Sequence, residues 1–355
     1  MTSLRLSTLF TGSRAKPWIA IQITPSLPSR TPLSPLSSFS PRTIKRSQST
    51  LSHLPLSLRI PPNSWDSHMH IVDPVNPFHP LSPSAPYTPT HAHTLPDALA
   101  FEFATLGIRN LVFVQPSIYG YDNSYLLEGL RQLGPRRGRG VVCFDADAVT
   151  AHHRNDGNDI LSSWHELGVR GVRLNLVSVP QQPSPSELAR TLHKYAAAIR
   201  HLDWVLQLYV PMHTLPTLLP IIPELGVKVC LDHFGNPQLP PASSEPVDPY
   251  SLPGFPALLD LLHQGSTYVK ISAPYRLSKD PELRDLGAVG REILQAGKER
   301  VVFATDWPHT RFEGLDIGPF VEACLRWCEE LGEGEGEEMA ERLFRKNTEA
   351  LWDVD

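Results

Sequence analysis

The sequence reads as an α/β protein, an eight-stranded parallel β/α barrel of the TIM type behind a disordered N-terminal extension. Two observations predict the barrel. From Trp65 onward, short β-rich runs alternate with longer amphipathic runs, the pattern of a parallel sheet covered by helices. Eight such units occupy about 290 residues, the size that a barrel of this kind needs. A third observation, a sharp change of composition before Asp66, sets the extension apart.

Residues 1–65 carry Arg5, Arg14, Lys16, Arg30, Arg42, Lys45, Arg46 and Arg59 but no acid, and they are dense in Ser and Pro. Prolines recurring from Pro17 leave this segment little helical potential, and its Pro and Ser density prevents a core. The domain boundary is placed at residue 62, with 1–62 as leader and 63–355 as barrel. Two readings of the leader stand. A basic, acid-free, Ser-rich segment has the composition of a mitochondrial transit peptide. The other reading is a disordered tail on a cytoplasmic protein that targets nothing.

Beyond the leader, the strand candidates are 66–73, 110–117, 140–146, 169–176, 204–210, 228–234, 268–273 and 300–307. Helical patterns fall between them at 95–106, 124–133, 186–202, 255–263, 282–296 and 319–331. Asn123 before one helix, and Gly134, Gly168, Gly226 and Gly297 at the ends of others, mark boundaries. The main rival is a doubly wound open sheet. It is disfavoured because no GxGxxG follows the first strand and no phosphate-cradling loop occurs elsewhere.

Composition excludes several functions. The net charge of −5 gives no reason to expect nucleic-acid binding, and 24 basic residues face 37 acidic ones once the leader is set aside. Prolines and charges interrupt every apolar run before the roughly 20 residues that a membrane span requires. Cys143, Cys230, Cys324 and Cys328 form no CxxC pair and read as packed thiols, including the last two, one helical turn apart. With no GxSxG, and with Cys143 and Cys230 inside hydrophobic strands, a Ser or Cys nucleophile has no support.

In a β/α barrel, catalytic groups gather at the carboxyl ends of the strands. The polar residues of this chain fall there: His68 and His70 on strand one, Gln115 and Ser117 on two, Arg173 and Asn175 on four, Tyr209 on five, His233 on six and Asp306 on eight. His68 and His70 are two residues apart, so a strand would turn both imidazoles to one face, ~7 Å apart. His91 and His93 have the same spacing but lie in a Pro-rich loop and are not read as ligands. His233 and Asp306 stand in the apolar runs KVCLDHF and RVVFATDW. A buried carboxylate needs partners, and the three histidines are the candidates for Asp306. Its rival role is that of a purely structural aspartate.

Six segments in order, WDSHMH, FVQPSIYGYDNS, GVRGVRLN, LDHFGNP, VKISAPYRLS and ATDWPH, resemble the group of the amidohydrolase superfamily that contains the 2-pyrone-4,6-dicarboxylate lactonases. The resemblance spans most of 63–352. It implies a hydrolase that cleaves a lactone or ester of a small carboxylated substrate, with Asp306 as general base on water and His68, His70 and His233 around the carbonyl. It further implies that Ser117, Arg173, Tyr209, Arg276 and Tyr87 hold substrate carboxylates. Metal-dependent members present a histidine at the end of strand five, whereas this chain has Tyr209 within LQLYV. Tyrosine is a poor zinc ligand, and the lactonase-like branch also has a tyrosine there, so the resemblance implies a site that is metal-free or only weakly metal-dependent and most simply needs no cofactor. The alternative is a zinc-dependent (or other divalent metal) amidohydrolase or decarboxylase, with His68, His70, His233 and Asp306 as ligands. Val179 stands where the lactonases carry another arginine, which implies a substrate of different shape or with one carboxylate. Oligomeric state is not legible.

Overall fold

A computed structural model describes residues 54–150, 159–177, 183–241, 247–332 and 334–354. Both readings of the leader, as far as residue 53, lie outside the described residues, and so does Val179.

Eight parallel strands follow one another around a single sheet in chain order. They are β1 (Trp65–Met69), β2 (Asn110–Val114), β3 (Gly138–Val142), β4 (Val169–Asn175), β5 (Val205–Tyr209), β6 (Val229–Leu231), β7 (Thr267–Ile271) and β8 (Val301–Phe303). The sheet closes on itself just beyond β8. Asp306 N donates to His68 O at 2.9 Å and His70 N to Trp307 O at 2.8 Å, with a parallel bridge between Met69 and Trp307. The bonds that close the barrel therefore run through the backbones of three predicted site residues.

Alternation along each strand sorts side chains into two sets. Leu111, Phe113, Leu206, Leu208, Val229, Leu231, Val269, Ile271, Val301 and Phe303 pack with the surrounding helices. The alternate positions fill the interior. Trp65, Val112, Val141, Val205, Cys230, Tyr268 and Val302 form an apolar layer with Leu351 and Trp352 from the C-terminal end. Two positions farther along the same strands come Gln207, Asp232 and Lys270, all buried and polar. Apolar residues plug one end, and the chemistry sits above them.

The plug constrains its neighbours. A Cβ on Gly171 of β4 would lie 3.1 Å from the Trp352 ring and 2.9 Å from Val205 O, so the close approach of Trp352 requires glycine there. Arg139 holds the plug's backbone, donating to Trp352 O at 2.9 Å and Asp353 O at 2.7 Å. Cys230, Cys324 and Cys328 are buried free thiols, as the packing reading expects. No helix of the described residues is long and apolar enough to cross a membrane.

The end of the leader departs from the sequence reading. Leu56–Arg59 forms a short helix, Ile60 is buried in the main core and Leu56 packs against it. Arg59 pairs with Glu322 at 3.4 Å. Gly107 lets this segment approach, since a Cβ there would meet Ser57 Cβ at 2.9 Å. Composition misplaced the boundary because two apolar side chains among prolines and serines do not alter an average. Burying Ile60 and part of Leu56 contributes roughly 2–4 kcal/mol. A chain beginning at Pro61 is therefore expected to melt roughly 4–10 °C below one beginning at Leu54. Calorimetry of the two tests this, and equal melting temperatures would show that the segment adds no stability.

Candidate active site

Asp306 lies three residues beyond β8, with φ at 61°, and His233 two beyond β6, with φ at 52°. These left-handed conformations are costly for non-glycine residues and cluster at functional sites. His68 is on β1 and His70 just after it. The fold brings all four together. From Asp306 Oδ1, His70 Nε2 is 3.5 Å away, His68 Nε2 3.6 Å and His233 Nε2 4.0 Å. The other oxygen, Oδ2, accepts from Tyr275 Oη at 2.6 Å and Arg276 Nε at 2.8 Å. One carboxylate oxygen is thus tied down while the other faces three imidazoles.

The outer nitrogens of the rings are engaged as well. His70 Nδ1 lies 2.7 Å from Val114 O. A carbonyl only accepts, so Nδ1 carries the proton and a neutral His70 presents a lone pair at Nε2. His233 Nδ1 bonds Ser272 Oγ at 2.8 Å. His68 Nδ1 has two neighbours, Lys270 Nζ at 3.3 Å and Asp232 Oδ1 at 3.4 Å. Asp232 in turn accepts Gln207 Nε2 at 2.8 Å on Oδ1 and Arg173 Nε and Nη2, both at 3.1 Å, on Oδ2. Lys270 also donates to Gln207 Oε1 at 2.8 Å.

Burial and charge set the ionisation. Burial alone would raise the pKa of Asp306, but His233, Arg276 and His68 together hold it well below the usual carboxylate range. Asp232 follows the same logic, with burial opposed by His68, Arg173 and Lys270. Burial, reinforced by Lys270, pushes His68 well below the ordinary histidine value, and burial lowers His233 to about 4. At neutral pH the site therefore holds two ionised carboxylates, with His68 and His233 neutral.

A second pair of carboxyl groups secures the strand ends. Asp66 Oδ1 accepts His68 N at 2.9 Å and Thr305 N at 3.1 Å, and Oδ2 accepts Thr305 Oγ1. The backbones that carry His68 and Asp306 are thereby fastened to one side chain. Glu102, fully buried on the helix Leu95–Thr105, is pushed well above the usual range by burial and by the Asp66 charge.

The substrate-binding candidates divide. Tyr209 meets His233 edge to face at 5.1 Å, and the Arg173 guanidinium lies over its ring at 5.5 Å. Arg276 is on Asp306 and about a quarter exposed, its side chain 27% accessible. Arg173 is buried on Asp232. Ser117 Oγ accepts from Asn175 at 3.2 Å. Tyr87 packs on the small cluster of Val72, Ile118 and Tyr119, beneath Arg311. His93 pairs its backbone with Val72 and sets its ring on Trp307, a structural role. Sequence reasoning passed over Asp232, Gln207, Lys270, Ser272 and Tyr275. Alternation held the signal for three of them, since 207, 232 and 270 lie two positions from the interior residues 205, 230 and 268.

A family model described as amidohydrolase matches residues 65–354. The chain belongs to the amidohydrolase family. Its hydrolase relatives include the 4-sulfomuconolactone hydrolase of Hydrogenophaga intermedia, 26% identical over 73% of this chain and 78% of that protein. The 2-pyrone-4,6-dicarboxylate hydrolase of Comamonas testosteroni is 28% identical over 71% and 78%. A crystal structure from Agrobacterium tumefaciens superposes with a TM-score of 0.66 at 22% identity, covering 83% of this chain and 97% of that one, which shows the fold. Amidohydrolase chemistry raises the question of a metal. Among the described residues, His68, His70 and Asp306 place ligand atoms within 4.8 Å of one another, as do His68, Asp232 and His233. In donor chemistry both sets suit a divalent cation.

The buried carboxyl pair generates a prediction. A Glu102 whose folded pKa is raised costs nothing below its unfolded value near 4.5, and it weakens the fold increasingly as pH rises toward the folded value. Glu102→Gln removes that cost. The melting temperature of the variant minus that of the native protein is expected to grow between pH 4.5 and 8. A difference independent of pH would mean that Glu102 ionises normally.

Proposed function

We propose that this amidohydrolase hydrolyses a lactone of a small anionic substrate, with Asp306 as the general base and without a metal cofactor. One observation carries the reading. Asp306 Oδ1 and the lone pair of His70 Nε2 face each other 3.5 Å apart, two acceptors that a water molecule satisfies by donating one proton to each. That water is the nucleophile. Its oxygen bonds to the carbonyl carbon while its proton passes to Asp306 Oδ1, and the carbonyl π pair moves onto oxygen. Neighbouring imidazole N–H groups stabilise the oxyanion. When the pair returns, the acyl C–O bond breaks, and the proton on Asp306 goes to the leaving oxygen. Lactone plus water gives the open hydroxy acid or, from an enol lactone, the enol acid and its keto tautomer. Tyr275 and Arg276 keep Oδ2 occupied, so that Oδ1 alone exchanges the proton.

The substrate class rests on the two curated relatives, whose names specify a sulfonated and a dicarboxylated lactone. Arg276, part exposed and beside Asp306, is the first candidate to meet the anion. Tyr209, Ser117 and Tyr87 complete the proposed binding surface, and Arg173, buried on Asp232, supports it from beneath through the Tyr209 ring. The two donor sets keep a second reading in view. A divalent ion on His68, His70, His233 and Asp306 would act as a Lewis acid and lower the pKa of a bound water.

Asp306→Asn preserves size and removes the base, so turnover is expected to fall by about 10²–10⁴ with an unchanged melting profile. Near-normal turnover in the folded variant would return Asp306 to a structural role. A panel of lactones, each with its uncharged methyl ester, tests the substrate. Masking the anion should lower kcat/KM by roughly 10- to 150-fold, the effect of a charge-assisted hydrogen bond worth about 1.5–3 kcal/mol. Chelation should leave turnover unchanged, and recovery of lost activity on adding zinc would establish the metal-dependent reading instead.

A further inference from the structure

Beneath the catalytic cluster lies a buried lysine that the reaction scheme does not use. Lys270 has no exposed surface. Its ammonium lies 2.8 Å from Gln207 Oε1, 3.3 Å from His68 Nδ1, 3.7 Å from Asp232 Oδ1 and 5.3 Å from the centre of the Trp352 ring. Gln207 is oriented by its own bond to Asp232, so its oxygen is fixed toward the lysine. Asp232 balances the lysine charge together with that of Arg173.

The arrangement bears on the proton of His68. A neutral imidazole has one donor and one acceptor nitrogen. Were Nδ1 the donor, its N–H would oppose the N–H groups of Lys270, which has no lone pair to receive it, and would be drawn to Asp232 at nearly the same distance. A cation and an anion thus compete at Nδ1 and nearly cancel. At Nε2 there is no such balance. The closest charge there is the Asp306 carboxylate, 3.6 Å away, and a lone pair facing it would be repelled. Lys270 cancels the pull of Asp232, and Asp306 then decides in favour of Nε2–H.

We propose that Lys270 is a positioning residue that holds His68 as its Nε2–H tautomer, opposite to that of His70, so that His68 donates to the substrate carbonyl while His70 accepts from the attacking water. Nε2 makes no hydrogen bond with any described residue, so an N–H there would find its partner in a carbonyl oxygen bound beside Asp306. The same tautomer withholds the Nε2 lone pair from a metal ion. Without Lys270, Nδ1–H would bond the Asp232 carboxylate and free Nε2 as a ligand, the outer hydrogen bond that metal-binding histidines use. The role in catalysis rests on the lactonase reading, whereas the tautomer itself does not.

The test is a long-range ¹H–¹⁵N correlation spectrum of the full-length, metal-free enzyme labelled in histidine, with His68 and His70 assigned by His68→Gln and His70→Gln. The expected spectrum has His68 protonated at Nε2 and His70 at Nδ1. A His68 protonated at Nδ1 would overturn the proposal, whatever substrate the enzyme takes, and failure to hydrolyse any lactone would leave this spectrum untouched. In Lys270→Met, His68 should switch to Nδ1–H, kcat should fall about a hundredfold, the loss of one oxyanion donor, and KM should change little. Calorimetric titration with zinc alone should show at least about tenfold tighter binding than in the native enzyme. A folded Lys270→Met enzyme that kept Nε2–H would also overturn the assignment. Should that variant fail to fold, the spectrum of the native enzyme decides.

Discussion

Asp306 is a carboxylate with 2% of its side-chain surface exposed, and much of the upper half of the barrel compensates for that single charge. Arg276 and Tyr275 hold one oxygen, three imidazoles surround the other, and Asp66 fixes the backbone on which Asp306 and His68 sit. Removing an ion from water costs several kcal/mol even after relaxation, so the group is stable only because its partners are already oriented. The same preorganisation gives catalytic value to the site, since donors that need not reorganise stabilise developing charge most effectively.

The interior is graded to make this possible. Valines, Cys230 and Tyr268 surround the Trp352 plug and exclude water from below. Directly above, Arg173, Gln207, Asp232 and Lys270 form a bonded layer drawn from four adjacent strands. Two cations face one anion in that layer, and His68 takes no charge of its own because burial and Lys270 both oppose its protonation. Asp306, one step higher, adds a second anion, itself paired with Arg276. The two layers are electrostatically linked through the two nitrogens of one imidazole.

That link also bears on whether the site works by hydrogen bonding or by metal coordination. His70 presents a lone pair toward Asp306 because its other nitrogen donates to Val114 O. His68, on the same strand end, faces a cation where a metal-binding histidine would usually find a lone acceptor. A donor set of the right chemistry is therefore necessary for a metal centre without being sufficient, because the outer partners decide which nitrogens are free to coordinate.

Much of this was legible in the sequence, and the boundary of legibility has a physical origin. Alternating periodicities and eight spaced runs defined the barrel, because burial on a strand or a helix leaves a local imprint of period 2 or 3.6. The barrel in turn predicted that His68, His70, His233 and Asp306 would converge, since strand ends meet at one mouth whatever lies between them. Arg173 shows the limit. Its place at the end of β4 was readable, but its attachment to Asp232 depends on a side chain 59 residues away. Lys270 and Gln207 looked like ordinary polar interruptions of strands, and Ile60 looked like part of a leader. The sequence by itself determined which residues share a face, an element or an end of the barrel. The tertiary structure alone decided which of them bond, which carry charge and which nitrogen holds a proton, because those outcomes depend on distances of 3–4 Å between strands that local pattern does not encode.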